Sequence, residues 1–401
     1  MRRNYSIFVL VAAGTVLGLM GTDLVLPAIP ILPESLGGTA PDAQLVLAAY
    51  VAGTCLGVVG CGAISERWPA KRLLLASLVG MAVTSYLCTL ATSLPLLTAM
   101  RGAQGFVSAA PAVLAPAIVK ALFDEQGATR ALGFVGSVES LAPALAPIAG
   151  ALLLGFGGWQ LSFELLAILA AALAVAVARV GAFPNVATRR DGGYIRLLRD
   201  TTFLRYAVSQ ALVLGGLLTF VFGAPAVFVR VMDGSIADFI ILQMSAIATF
   251  IVAANLSGRL VDRLGAERII FFGTALAASA STAQFLYALS GGASILLISV
   301  LAIPMSTGLG LRGPPGFFRA IVAARGDDAR GGALVIVGIL GSASAGTALV
   351  SPWIELGMTP LASVTLAFHA GALAVLLFYP KLLESPEEQV PTGYGQDGAI
   401  G

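Results

Sequence analysis

The sequence predicts an all-α polytopic membrane protein with twelve transmembrane helices in two six-helix bundles, and three observations predict it. Hydrophobic residues make up 58% of the 401 residues and charged residues only 11%, whereas a soluble domain is about half apolar and about a quarter charged. Twelve apolar stretches approach or exceed the roughly 20 residues that a spanning helix needs. A charged motif between two such stretches recurs about half a chain later. These features indicate a membrane protein built from two copies of one unit.

The apolar stretches justify the helices in chain order, and short connections between them make neighbouring helices antiparallel. In the first half the predicted spans are 7–32, 43–64, 73–92, 94–119, 131–156 and 159–180. In the second half they are 203–229, 236–257, 269–290, 293–318, 331–352 and 359–379. The first run is too long for the apolar core of a signal peptide, about 7–15 residues. We therefore expect it to remain as the first membrane helix.

The recurring motif is a short charged loop. Gly62-Ala-Ile-Ser-Glu-Arg-Trp-Pro-Ala-Lys-Arg72 returns 196 positions later (258 minus 62) as Gly258-Arg-Leu-Val-Asp-Arg-Leu-Gly-Ala-Glu-Arg268. Chance similarity is the alternative, but each copy lies between the second and third spans of its half. The repeat predicts two halves related by an axis along the membrane normal, as in many transporters.

Lysine and arginine in the loops set the orientation, because cytoplasmic loops carry an excess of both. With both termini inside, 20 of the 23 cations fall on the cytoplasmic side. Only Arg230 falls outside, while Arg101 and Arg312 lie within helices. We predict a multi-pass protein of the cytoplasmic (inner) membrane with both termini in the cytoplasm.

One long connection divides the chain. We predict an N-terminal bundle (1–181), a cytoplasmic linker (182–202), a C-terminal bundle (203–383) and a disordered tail (384–401) that is rich in Pro, Gly and Glu. Within the linker, Tyr194-Ile-Arg-Leu-Leu-Arg199 has apolar and basic residues at helical spacing. This pattern fits a short helix on the anionic leaflet, and a plain solvated linker is the alternative.

The residues that metal, nucleotide or catalytic chemistry would need are scattered. Cys55, Cys61 and Cys88 lie in apolar runs without metal spacing, and the chain has no G-x-x-x-x-G-K-[ST] loop for ATP. His369 is the only histidine and the carboxylates are dispersed, which disfavours an active site. We expect no cofactor, no metal, no enzymatic activity and no nucleic-acid partner.

Several motifs occur in a family-specific order. Gly62–Arg72 resembles the loop signature G-x-x-x-D-R-x-G-R-K, with Glu66 in place of its Asp, Arg67 and Lys71 matching, and Pro69 and Ala70 departing from it. The others are Thr22-Asp-Leu-Val-Leu-Pro-Ala-Ile-Pro30, Arg101-Gly-Ala-Gln-Gly105, Ala142-Pro-Ala-Leu-Ala-Pro-Ile-Ala-Gly150 with Gly158-Trp159, and Leu197-Leu-Arg-Asp-Thr-Thr-Phe203. Together they resemble the major facilitator superfamily, and within it the twelve-helix drug:proton antiporters of the Bcr/CflA type.

The resemblance implies a cytoplasmic gate at the repeated loop. Glu66 can accept hydrogen bonds from an exposed helix N-terminus, and the resemblance implies that this helix is the eleventh, beginning near Gly331. Gly62 is expected to let two helices touch. The predicted gate residues are Gly62, Glu66, Arg67, Lys71, Arg72, Gly258, Asp262 and Arg263. In the fifth helix, Pro143, Pro147 and Gly150 are expected to form a kink, although prolines are also simply tolerated in membrane helices.

Ionisable residues within a bilayer are costly and are candidates for function. From a rise of about 1.5 Å per residue, Asp23 and Arg101 fall at similar depths in the same bundle. We predict an Asp23–Arg101 pair in which Asp23 carries the proton and Arg101 tunes it, with a static structural ion pair as the alternative. Glu139, near the midplane, is either the rival proton carrier or a site that attracts cationic substrates. Arg312 precedes Gly313-Pro-Pro-Gly316, a predicted break in the tenth helix.

The predicted function is secondary active transport. Amphipathic small molecules would enter a cavity lined by Tyr50, Phe106, Phe220, Phe222, Phe228 and Arg312. Arg312 either binds an anionic group or snorkels inward, and His369 is either a packed neutral residue or a proton relay. We expect a monomer in the lipid bilayer that exports drugs in exchange for protons. A transporter of one metabolite is the first alternative, and a membrane receptor or enzyme is the second.

Overall fold

The computed structural model describes the backbone of residues 2–65, 67–181, 183–184 and 194–382. Helix 1 is Arg2–Asp23, followed by a 3-10 segment (Leu26–Ile31) and a short helix (Leu32–Leu36). Helices 2 to 6 are Ala40–Ser65, Ala70–Thr89, Leu94–Ser108 with Ala110–Leu122, Glu125–Gly157 and Gln160–Arg179. A linker helix, Tyr194–Arg199, precedes helices 7 to 10: Thr201–Arg230, Ile236–Leu264, Ala266–Leu289 and Ile295–Ala323. Helix 11 is Asp328–Val350, with a 3-10 segment Ser351–Leu356, and helix 12 is Met358–Phe378.

The predicted helical membrane fold is confirmed. In the described part of the chain, eleven helices are long and apolar enough to cross a membrane, and helix 5 contributes the shorter apolar stretch Leu141–Gly157. Helix 5 begins six residues before the predicted 131, because the Asp124 carboxylate accepts a hydrogen bond from Gly127 N at 3.0 Å and caps the helix start. The predicted linker helix is present, with Leu197 buried and Ile195 and Leu198 exposed.

Prolines interrupt helices 1 and 4 but not helix 10. Helix 1 does not continue to residue 32 as an α-helix, because Pro27, Pro30 and Pro33 remove backbone donors and the chain continues as a 3-10 segment. Helix 4 is interrupted at Ala109, ahead of Pro111. The predicted break in helix 10 is wrong, since Ile295–Ala323 is one continuous helix that contains Pro314 and Pro315. Neighbouring helices in a membrane protein can stabilise such a proline-containing helix.

Glycines allow the helices within each half to approach closely. A Cβ at Gly53, Gly57 or Gly105 would collide with backbone atoms across the contact between helices 2 and 4. In the second half, Gly273 and Gly308 face each other's backbone between helices 9 and 10 in the same way. Small residues permit this approach in lipid, where van der Waals packing drives helix association.

The helices run between two opposite faces of the molecule. We call the side with Arg2, the Arg67–Pro69 loop and Phe378 the terminal face, and the opposite side, with the Gly37–Thr39 loop and the Ser351–Leu356 segment, the far face. The largest core cluster contains buried residues of both halves, among them Val25, Leu47 and Tyr50 from the first and Phe220, Phe222 and Phe228 from the second.

Helices 2 and 11 carry contacts between the halves. Ser351 Oγ donates to Pro41 O at 2.5 Å and Ser344 Oγ to Ala48 O at 2.9 Å. The Cys55 thiol lies 3.6 Å from Val337 O, just beyond the middle of helix 2. Nearer the terminal face, a Cβ at Gly62 or at Gly258 would meet no atom within 4 Å. The expectation that Gly62 lets two helices touch is therefore wrong for this conformation, in which the halves are joined toward the far face.

Candidate functional site

Asp23 lies at the break in helix 1. Its side chain is 8% exposed, and it makes no hydrogen bond or ion pair with the residues that the structure describes. The next residue is held by two other helices. Leu24 O accepts a hydrogen bond from Ser162 Oγ at 3.2 Å, and Gly150 of helix 5 packs directly against it. The backbone next to Asp23 is therefore held by helices 5 and 6. The Asp23 carboxylate itself has no hydrogen-bond or ion-pair partner among the described residues.

Arg101 lies at the centre of a buried polar cluster in the first half. Its guanidinium is fully buried and donates through Nη1 to Gln104 Oε1 at 2.7 Å, and Gln104 Nε2 donates to Ser85 Oγ at 2.7 Å. Arg101 Cζ is 4.1 Å from the centroid of the Tyr50 ring, within the range of a cation–π interaction. Phe163 provides a second aromatic neighbour, at 5.6 Å. Arg101 Nε and Nη2 have no hydrogen-bond partner among the described residues.

Tyr50 connects this cluster with helix 1. Its hydroxyl donates to Gly18 O at 2.7 Å and lies 3.2 Å from Ser108 Oγ. A side chain at Gly21, two residues before Asp23, would collide with the Tyr50 hydroxyl. The predicted ion pair between Asp23 and Arg101 is wrong in this conformation, because Tyr50 and Gln104 are the groups that contact the guanidinium. Asp23 and Arg101 were expected at similar depths in the membrane, but their side chains do not face each other.

Glu139 lies on helix 5 and is half-buried. Its carboxylate lies near the Thr15 hydroxyl on helix 1, and that hydroxyl donates to Ala12 O of its own helix at 2.8 Å. Pro143 and Pro147 are both inside the continuous helix Glu125–Gly157. The two candidate proton carriers, Asp23 and Glu139, therefore occupy separate environments that both involve helix 1.

The predicted aromatic residues do not line one cavity. Tyr50, Phe220, Phe222 and Phe228 are at most 2% exposed and belong to the core cluster shared by the two halves. Phe106 is 42% exposed. Its backbone packs against Gly57, and its ring lies over Gly60. This corrects the predicted cavity: in this conformation four of the rings are buried in the core cluster that contains residues of both halves, and Phe106 is not part of that cluster.

Arg312 is fully buried in the second half. Nη1 donates to Ser209 O at 2.8 Å, and Nη2 lies 3.3 Å from Ser209 Oγ. The inward snorkelling proposed for Arg312 is therefore wrong, and no aromatic ring contacts its guanidinium in the described residues. His369 is also buried, with Nδ1 2.6 Å from Ser281 Oγ and Nε2 3.1 Å from Val213 O. Both ring nitrogens thus have polar neighbours from the same half.

The repeated loops make different contacts in the two halves. Lys71 Nζ donates to Ala178 O at 3.1 Å and Val180 O at 2.5 Å, which caps the end of helix 6. Glu267 occupies the equivalent position of the second copy and binds Arg205 at 3.1 Å. Arg205 in turn donates to Tyr379 O at 2.7 Å, beyond helix 12.

The predicted gate residues that the structure describes are half-buried or exposed. Arg67, Arg72, Asp262 and Arg263 are exposed, and Glu66 lies outside the described residues. Among the residues described, no group of three or more His, Cys, Asp or Glu side chains could hold a metal ion.

The apolar helices of the described chain match a known protein family. Residues 11–349 match the family model described as Major Facilitator Superfamily. The chain belongs to the Major Facilitator Superfamily. It is a multi-pass membrane protein of a family of transporters.

Relatives of this superfamily member include proteins named for drug resistance. It is 26% identical over 284 residues to a bicyclomycin resistance protein homolog of Haemophilus influenzae, covering 67% of this chain and 71% of that one. It is 26% identical over 260 residues to a chloramphenicol resistance protein of Pseudomonas aeruginosa, covering 63% and 62%. It is 25% identical over 304 residues to multidrug resistance protein MdtL of Klebsiella pneumoniae, covering 72% and 77%.

Solved structures of the superfamily share the fold. A bacterial homolog of the human lysosomal transporter Spinster, in an inward-facing and occupied conformation, matches with a TM-score of 0.73. The identity is 14%, and the match covers 94% of this chain and 97% of that chain. The nucleoside transporter NupG matches with a TM-score of 0.65 and 13% identity over 93% and 98% of the two chains.

Proposed function

We propose that this protein exports amphipathic small molecules in exchange for protons across the cytoplasmic membrane. The similarity to drug-resistance proteins over about two thirds of the chain supports the substrate class. The observation that carries proton coupling is Asp23, a buried carboxylate without a partner among the described residues. An isolated charge in a membrane is costly, and loading a proton removes that charge.

Alternating access follows from the arrangement of the two halves. We infer bundles at 1–181 and 203–383 that rock about the shared core. The positive-inside rule supports placing the terminal face in the cytoplasm, so the present conformation is open toward the cytoplasm. The exposed loop residues Arg67, Asp262 and Arg263 would form the gate that closes this side when the far face opens. Glu139, beside Thr15 on helix 1, is the second candidate for the proton carrier.

A transporter of one specific metabolite is the remaining candidate. A drug exporter and a single-metabolite transporter differ in how many kinds of substrate they move. A transport assay with one panel of compounds measures this difference. Purified protein in proteoliposomes, with an imposed pH gradient, should accumulate several cationic and neutral amphipathic compounds. Accumulation should stop when the gradient is collapsed by an ionophore. Movement of one polar compound only, or accumulation that does not respond to the gradient, would contradict drug:proton antiport.

A further inference from the structure

Besides Ser344 and Ser351, two longer side chains of the second half donate hydrogen bonds to backbone carbonyls of the first half. Gln243 Nε2, on helix 8, donates to Pro143 O on helix 5 at 3.4 Å. Arg230 Nη1, at the end of helix 7, donates to Pro30 O in the segment that follows helix 1 at 2.7 Å. Both contacts join the two halves of the molecule.

Prolines explain why these two carbonyls are available. In an α-helix Pro143 O would accept from the amide four residues on, which is the nitrogen of Pro147 and carries no hydrogen. In a 3-10 segment Pro30 O would accept from the amide three residues on, which is that of Pro33. Each carbonyl therefore lacks its regular partner within its own segment. Because an unpaired carbonyl in the membrane interior is costly, each needs a donor from elsewhere.

The two donors differ in their surroundings. Gln243 is 4% exposed, so its contact is shielded from water and lipid headgroups. The Arg230 side chain is 29% exposed and also lies 3.7 Å from the Glu34 carboxylate of the first half. It is the one cation that the charge distribution places outside, where the positive-inside rule disfavours cations. The contacts with Pro30 O and the Glu34 carboxylate explain why a cation is found at this position.

We propose that Gln243 and Arg230 form a latch that holds the far face closed by donating to Pro143 O and Pro30 O. These two carbonyls are available because Pro147 and Pro33 have no amide hydrogen to offer them. This inference rests on alternating access in the proposed function, but not on the substrate or on proton coupling. When the far face opens, both carbonyls lose their donors, and their own segments cannot replace them because of the prolines. The prolines therefore act on the equilibrium between conformations, and not only on the shape of the helix.

The latch can be tested by the distance across the far face. Ser35 in the first half and Glu355 in the second are both exposed there. Spin labels at these positions, in a variant without Cys55, Cys61 and Cys88, report the population of the open far face by double electron–electron resonance. Labels at Trp68 and Leu264 report the terminal face. Neither pair requires substrate or a pH gradient, so failure of the latch is separable from failure of the proposed transport.

The decisive variants form a double-mutant cycle. Gln243→Met removes the donor while keeping the side-chain volume, and should raise the open population about fivefold, the effect of losing one ordinary hydrogen bond. Asn255→Leu is the matched control on the same helix, because Asn255 is exposed and, among the described residues, its side chain bonds to Ile251 O of its own helix alone. Pro147→Ala restores an amide for Pro143 O, so Gln243→Met should have little further effect in that background.

Arg230→Met tests the second contact independently at a partly exposed site, and should also raise the open population. The latch is refuted if Gln243→Met and Arg230→Met leave the Ser35–Glu355 distances unchanged. The role of proline is refuted if Gln243→Met has the same effect with Pro147 as with alanine at that position. If a variant is not monodisperse after purification, the same distances measured in native membranes decide between these outcomes.

Discussion

Gly150→Ala should separate helix 5 from the break in helix 1. A Cβ added at Gly150 would lie 2.2 Å from Leu24 O and 3.0 Å from Leu24 C. Ordinary contact begins near 3.4 Å, so the backbones must move apart by about 1.2 Å (3.4 minus 2.2). The obstructing atoms are backbone and cannot rotate away. Overpacking of this kind typically costs about 1–3 kcal/mol of unfolding free energy.

Gly155→Ala is the matched control, since it lies on the same helix and its Cβ would meet nothing within 4 Å. Both substitutions gain the same helix propensity, about 1 kcal/mol over glycine, so their difference isolates the contact. Gly150→Ala should show a lower apparent midpoint of thermal unfolding in detergent than Gly155→Ala, and weaker transport at equal abundance. Equal midpoints and equal transport for the two variants would refute the close contact between helix 5 and Leu24.

Two further predictions concern Arg101 and the topology. Arg101→Lys should impair transport nearly as much as Arg101→Ala, because an ammonium lacks the planar fork that bonds Gln104 while stacking on Tyr50; transport by the lysine variant equal to the parent would contradict this geometry. Cysteines at Trp68 and Leu264, both exposed on the terminal face, should react with a membrane-impermeant thiol reagent only in inside-out vesicles. Labelling in intact cells would reverse the proposed orientation.

The spans and the linker helix could be predicted from the sequence because each depends on local composition. The end of helix 1 and the interruption of helix 4 could also have been predicted, since Pro27, Pro30 and Pro111 are visible in the sequence. The same reasoning fails in helix 10, where Pro314 and Pro315 do not interrupt the helix. Tertiary packing decides whether a proline breaks a membrane helix.

The site was less predictable because depth in the membrane does not fix rotation about a helix axis. Asp23 and Arg101 were placed at the same level, yet Arg101 faces Tyr50 and Gln104. Gln243 and Arg230 were not identified as functional residues. The missing amide of Pro147 predicts that Pro143 O needs a donor, but only the packing of helix 8 on helix 5 identifies Gln243 as that donor.

Substrate-induced proton release tests the central claim most directly. Detergent-purified protein in weakly buffered solution with a pH indicator should release protons when an amphipathic substrate binds, if Asp23 carries the exchanged proton. Asp23→Asn should bind substrate but release none, whereas Glu139→Gln should still release protons and retain partial coupling in proteoliposomes. If Asp23→Asn releases protons like the parent while Glu139→Gln does not, the carrier is Glu139 and the assignment to Asp23 is wrong.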